Sequence, residues 1–347
     1  MRLRFAVLTS SLLFLSAAGA ASAQQHAHAG AASPSDTSIT RKLHATAAEL
    51  HLADDSLRVV NLYKLQAEAL RATAGAPADR TIEQLVRTVY APYTEFWAGY
   101  LGDEAAFREW AVKLLEPEHP IHARLEPLLD VALDRRFTEG VEWIQRTTGR
   151  RPAGTWYIVF GPGWTDMGGL GGIGMVADFT RMVPDSAAIA SLLPHELTHQ
   201  VHGRRADDPD AGTVLDRIIS EGFASYVAWV HGEGLRSEAR SLMYSDDEWQ
   251  WALAHERELF EAALPILASR ERSDGDRVAS RSDRLIAGAP GAAGYFIGLR
   301  VVQAWVAAHG ADSWQDIYDL PVAEVLERSG YARQYTEGAM RTGRDER

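Results

Sequence analysis

The chain has 347 residues, 35 Lys and Arg against 47 Asp and Glu, a formal net charge of −12 and no cysteine. That length allows a sizeable core and one or two domains. The acidity argues against nucleic acid and anionic lipid as partners, and without cysteine there is neither a disulfide framework nor a lipid-attachment site.

The opening "MRLRFAVLTSSLLFLSAAGAASAQQ" places Arg2 and Arg4 before an apolar run from Phe5 to about Ala18, followed by Ala21-Ser22-Ala23. These are the three regions of a secretory signal peptide, so residues 1–23 are expected to direct export to the periplasm or exterior, with cleavage after Ala23. The alternative, an uncleaved anchor, needs about 20 apolar residues, more than this run offers. No stable membrane insertion is expected after cleavage, and loss of the two arginines would take the charge from −12 to −14.

Residues 24–40, "QQHAHAGAASPSDTSIT", are small, polar and proline-containing, and predict a disordered leader. Cleavage after Ala23 would put His26 third from the new terminus, where an amine, two amides and an imidazole can chelate Cu(II) or Ni(II) in a square plane. A plain linker is the simpler reading of the same residues.

Residues 41–150 predict a helical N-terminal portion, from apolar spacing of three and four in "LRVVNLYKLQAEAL", "IEQLVRTVYAPYTEFWAGYL" and "LEPLLDVALDRRFTEGVEWIQRTTG". Gly75, Pro77, Pro117 and Pro120 punctuate it, and Trp97, Trp110 and Trp143 are candidate core residues. From residue 151 the pattern changes. "TWYIVFG" and "GGIGMVADF" predict two strands, joined by the loop "GPGWTDMGGLGG", which lacks the Gly-Lys-Ser/Thr ending of a phosphate loop.

A helix is predicted over "AAIASLLPHELTHQVH", capped by Asp185 or Ser186 and ended by Gly203, with Pro194 expected to bend it or to mark its effective start. The loop "RRADDPDAG" separates it from a second helix, "TVLDRIISEGFASYVAWVHG", and further helices are predicted near 246–270, 292–309 and 321–329.

His195 and His199 are four residues apart, one turn on one helix face, so both imidazoles can reach a single ion at about 2.1 Å. Glu196 sits beside them, placed to take a proton from water on that ion. Zinc in a hydrolytic site needs a third protein ligand and an open position. His202 is a poor candidate, because seven residues of helix put it roughly 10 Å from His195 along the axis. Glu221 is the better one, since a helical hairpin across the 204–212 loop could bring it alongside, and Ile219, Phe223 and Tyr226 around it suggest a packed setting.

"HELTHQ" followed by "EGFASY" resembles the gluzincin metallopeptidases, the aminopeptidase-N-like family in particular. Together with "GYFIGLRVVQAW" and "VLERSGY", the pattern looks like a family of predicted Zn-dependent proteases catalogued as a domain of unknown function, over roughly residues 150–335. The resemblance implies Zn2+ held by His195, His199 and Glu221, with Glu196 as general base. It also implies that Tyr295, in the word Tyr-x-x-Gly ending at Gly298, donates to the oxyanion; the alternative is an ordinary core tyrosine.

Two words depart from that family. The glutamate that anchors a substrate amino end is replaced, after Met175, by Val176 and Ala177, which puts exopeptidase specificity in doubt; this strand could still take an extended substrate by main-chain pairing. Ser225 stands where thermolysin-like relatives place an aspartate that orients a ligand histidine, leaving Asp216 or a main-chain carbonyl as candidates for that task.

The expectation is an α+β, predominantly helical protein whose zincin-like catalytic portion, residues 151–347, contains a small β-sheet and an active-site helix. Its expected function is that of an exported zinc metallopeptidase acting on peptide or protein substrates. The alternative is a non-catalytic zinc-binding protein on the same fold.

Overall fold

Leu57–Asn61 and Gly154–Val159, nearly a hundred residues apart in sequence, lie side by side as parallel strands. They belong to a computed structural model that describes residues 34–202, 208–233 and 237–335. The expected signal segment, residues 24–33 of the expected leader with His26, and Gly203 lie outside the described residues.

The chain divides into two units, each discontinuous in sequence: residues 34–136 with 154–186, and residues 137–153 with 187–335. The first holds a five-stranded sheet in the order β1-β2-β3-β5-β4, formed by β1 (Glu49–Leu52), β2 (Leu57–Asn61), β3 (Gly154–Val159), β4 (Met167–Gly169) and β5 (Met175–Asp178). The central pairs β2–β3 and β3–β5 are parallel and the outer pairs antiparallel. Leu57, Val59 and Val60 of β2 are fully buried, as are Trp156, Ile158 and Val159 of β3, which suits a parallel core covered on both faces.

Three expectations are corrected in this unit. "LRVVN" was predicted helical, but it is strand β2, and the helix α2 (Leu62–Ala72) begins only after it. Its β-branched pair Val59-Val60 fits either pattern locally, and pairing with β3 decides it. Residues 34–40, expected in the disordered leader, belong to α1 (Pro34–Ala45), which is tied down by burial of Leu43 and by an Asp36–Arg71 ion pair at 2.5 Å. The glycine-rich loop contains strand β4, which hairpins back on β5 with Met167 opposite Ala177.

The remaining helices of the unit, α3 (Ala78–Leu85), α4 (Thr94–Tyr100), α5 (Glu104–Leu114) and α6 (Ile121–Asp130), enclose an aromatic core. Trp97 and Trp110 have ring centroids 5.2 Å apart, and Phe96 stacks on Tyr157 at 4.2 Å. Each such buried ring contributes on the order of 1.5–3 kcal/mol. Asp178, fully buried at the end of β5, accepts from the amides of Gly161, Gly163 and Thr180 and from the Tyr100 hydroxyl, and so pins the start of the 161–166 loop.

The second unit is helical. It takes α7 (Leu133–Thr148) from Phe137 onward, then α8 (Ser186–His202) from Ala187, α9 (Val214–His231), α10 (Glu238–Ser241), α11 (Asp246–Ala254), α12 (Glu256–Ala263), α13 (Arg272–Ala279), α14 (Ala293–His309) and α15 (Val322–Ser329). Trp143, expected in the core of the N-terminal helical portion, is half-buried and belongs here, stacked on Trp314 with ring planes 5° apart. The described architecture is α+β and predominantly helical, with a small mixed sheet. No helix of the described residues is long and apolar enough to cross a membrane.

Candidate metal centre

α8 carries two different stripes. Ile189, Leu193, Leu197 and Val201, four residues apart, are buried and fasten the helix into its unit, with Leu197 against Gly140 of α7. The helix runs on through Pro194, whose carbonyl accepts from the Thr198 hydroxyl at 2.8 Å, so the expected late start at this proline is not found. The second stripe presents His195, which is 7% exposed, and His199 one turn later.

α9 begins with a local capping set: the Thr213 hydroxyl accepts from the Asp216 amide, and the Asp216 carboxylate accepts from the Gly212 amide at 2.8 Å. Asp216 is thereby held at the helix start, which corrects its expected role as the partner of a ligand histidine. Two turns on, α9 delivers Glu221 to the histidines. The Nε2 atoms of His195 and His199 are 3.1 Å apart, and Glu221 Oε2 lies 3.1 Å from the first and 3.3 Å from the second. Among the described residues these three form the group of ligand-type side chains that could hold a metal ion.

The triangle has the size that zinc requires. Ligand bonds of about 2.0–2.1 Å in tetrahedral geometry put neighbouring donor atoms about 3.3 Å apart, leaving the fourth corner open. Two imidazole nitrogens and a carboxylate oxygen this close repel one another unless a cation or proton lies between them. Burial pushes the His195 imidazole down from its usual range, toward the neutral form a metal ligand needs. Burial alone would raise Glu221, but the facing imidazoles outweigh it and hold this carboxyl well below the usual range.

The other ring nitrogens meet serines. Ser220 Oγ is 3.3 Å from His199 Nδ1, and Ser225 Oγ is 3.5 Å from His195 Nδ1 while donating to the Glu221 carbonyl at 2.9 Å. With its proton spent on that carbonyl, the Ser225 hydroxyl can only accept from Nδ1, which leaves the His195 Nε2 lone pair facing the triangle. In "ISEGFASY" Ser220 directly precedes Glu221 and was not singled out in the sequence, whereas Ser225, one turn after Glu221, was singled out by position but not as the partner itself.

Glu196 is half-buried and directly follows His195 on α8. Tyr295, in the first turn of α14, lies with its ring parallel to the His195 imidazole, centroids 6.0 Å apart and planes 6° apart. His202 stands outside the triangle, edge-on to Phe223 and Tyr318. Val176 and Ala177 sit in the middle of β5, which is paired on both sides, so this strand offers no free edge to an extended peptide.

No curated protein and no solved structure matches the chain. Residues 163–327, a segment containing His195, Glu196, His199, Glu221 and Tyr295, match the family described as "Predicted Zn-dependent protease (DUF2268)".

Proposed function

We propose that the chain is a zinc-dependent metallopeptidase, with His195, His199 and Glu221 as the metal ligands. The observation that carries this reading is the triangle of three acceptor atoms with edges of 3.1 to 3.3 Å. When bound, zinc supplies Lewis acidity at the scissile carbonyl and lowers the pKa of its water.

The chain's own groups do the rest. Glu196 accepts the proton of the attacking water and hands it to the leaving nitrogen. The Tyr295 hydroxyl donates to the carbonyl oxygen as negative charge develops there. Ser220 and Ser225 hold the imidazole rings in the tautomer that presents Nε2.

The test is zinc content and cleavage of an unstructured protein such as casein, for wild type and Glu196→Gln together. Zinc in both with turnover only in wild type is the expected result. Equal turnover in both sinks the mechanism, and purified protein lacking zinc sinks the metal assignment.

We assign the protein to an exported location on the pattern of residues 1–23. Sequencing the amino end of the secreted or periplasmic protein should read Gln24 first, and a mature chain beginning at Met1 would overturn the cleavage.

A further inference from the structure

The first unit holds the buried carboxylate Asp178, but its four donors account for it as a loop anchor. Beside the metal centre, Arg281 lies over the ring of Tyr295, which in turn faces His195. Some arginines of its unit meet carboxylates, as Arg300 does with Glu256 at 2.9 Å and Arg277 with Asp274 at 3.7 Å, whereas Arg270 and Arg284 donate to main-chain carbonyls. Arg281 has no carboxylate partner among the described residues, in a chain with twelve more acids than bases.

Its side chain is nevertheless held. One Nη2 donates to the Leu242 carbonyl at 2.6 Å, and the guanidinium lies over the Tyr244 ring at 5.6 Å and the Tyr295 ring at 5.4 Å. The backbone is clasped as well. The Ala292 amide donates to the Ser280 carbonyl at 2.8 Å, and a β-carbon on Gly291 would fall 2.1 Å from the Arg281 carbonyl oxygen. Tyr244 reinforces the clasp through its hydroxyl, 3.0 Å from the Gly291 carbonyl oxygen and 3.2 Å from that of Ala292.

The same framework starts α14 and so positions Tyr295, whose ring is parallel to His195. Arg281, Tyr295 and His195 thus form a layered series leading to the metal triangle.

We infer that Arg281 is a specificity-determining residue that binds a carboxylate of the peptide substrate, next to the bond that is cut. The inference rests on the peptidase reading for the word substrate, and on geometry for the rest. A guanidinium offers a planar fork of donors that matches a carboxylate in two parallel hydrogen bonds, and only one donor is occupied by Leu242. Stacking on two tyrosine rings keeps the fork from swinging away. A strongly acidic protein repels acidic peptides at long range, so a held cation beside the centre gives them a local foothold. The carboxylate is either an Asp or Glu side chain or the peptide's own carboxyl terminus.

The experiment uses zinc-loaded Glu196→Gln protein, silent in catalysis, and fluorescent peptides in two matched pairs: Glu against Gln within the sequence, and free carboxyl against amide at the end. Affinities are read by anisotropy, with and without the added change Arg281→Gln. One pair should favour the acid by about tenfold, and that preference should vanish with Arg281→Gln and partly return with Arg281→Lys. The pair that discriminates identifies the source of the carboxylate.

Equal affinities within both pairs, or a preference that survives Arg281→Gln, overturn the inference. If Arg281→Gln loses zinc or its fold, the first comparison alone decides, since equal affinities with Arg281 present already exclude its role. Wild-type cleavage of the same peptides separates the two readings. Acid preference in binding without cleavage sinks the peptidase and keeps the anchor, whereas cleavage without acid preference does the reverse. No binding and no cleavage sinks both.

Discussion

Gly222 and Gly298 bring α9 and α14 together backbone to backbone. A β-carbon on Gly222 would fall 2.1 Å from the carbonyl carbon of Gly298, and one on Gly298 would fall 1.9 Å from the carbonyl oxygen of Ile218. Gly222 directly follows Glu221, and Gly298 closes the turn that Tyr295 opens. The glycines of the two words "EGFASY" and Tyr-x-x-Gly therefore share one physical cause: the helix carrying the carboxylate and the helix carrying the tyrosine touch with no side chain between them.

Gly298→Ala should force these helices apart, because the atoms it meets are backbone and cannot rotate away. Overpacking typically costs about 1–3 kcal/mol, and a backbone clash lies at the upper end. The thermal midpoint should fall by at least about 4 °C, and zinc should bind more weakly as Glu221 shifts. A melt within a degree or so of wild type, with unchanged zinc affinity, would show that the contact does not constrain the site.

Ser225→Ala removes the acceptor facing His195 Nδ1 and leaves the ligand atoms in place. Loss of such a supporting group typically costs about 10- to 100-fold in metal affinity, and the lower figure fits a contact of 3.5 Å. Competition against a zinc chelator measures it. Affinity equal to wild type would remove Ser225 from the account of how the histidine is oriented.

His202 ties stability to pH. Burial, helped by the charge of His199, pushes its imidazole down to about 4, below the value of about 6.5 for an exposed histidine. Between these two values the unfolded chain binds more protons than the folded one, so stability is full above about pH 6.5 and falls as the pH drops toward 4. One such group contributes a slope of up to about 1.4 kcal/mol per pH unit. His119, also pushed down to about 4 by burial, acts in the same direction. In chelator-treated protein, denaturant midpoints at pH 7 and pH 5 should differ less for His202→Phe than for wild type. An unchanged difference would exclude His202 as a source of the acid sensitivity.

Much of the centre was legible because its residues are local words. His195 and His199 share a turn of one helix, and a period of 3.6 residues is visible in any sequence. Glu221 was legible as the nearest packed carboxylate on the next helix. The supporting groups were less so. Asp216 looked suited to orient a histidine by its charge, yet a carboxylate two residues into a helix also serves the cap, and the cap takes it. Ser220 carried no signal beyond its closeness to Glu221, and Ser225 only that of its position, which the sequence marked as the place of a histidine-orienting group without pointing to the serine itself.

The amino-acid sequence by itself determined the predominantly helical class, two of the five strands, the helix of "HELTHQ" and the donor types that can surround a zinc ion. Periodicity and ligand chemistry act over a few residues, and so they survive in a one-dimensional reading. Only the tertiary structure decided that "LRVVN" is a strand, because its partner β3 lies almost a hundred residues away and the alternation is masked when both faces are buried. Only the tertiary structure could draw α1 back from the leader, move Trp143 to the second unit and bring Arg281 beside Tyr295 and Tyr244. Each of these rests on contacts between distant segments, whose free energy outweighs a weak local preference.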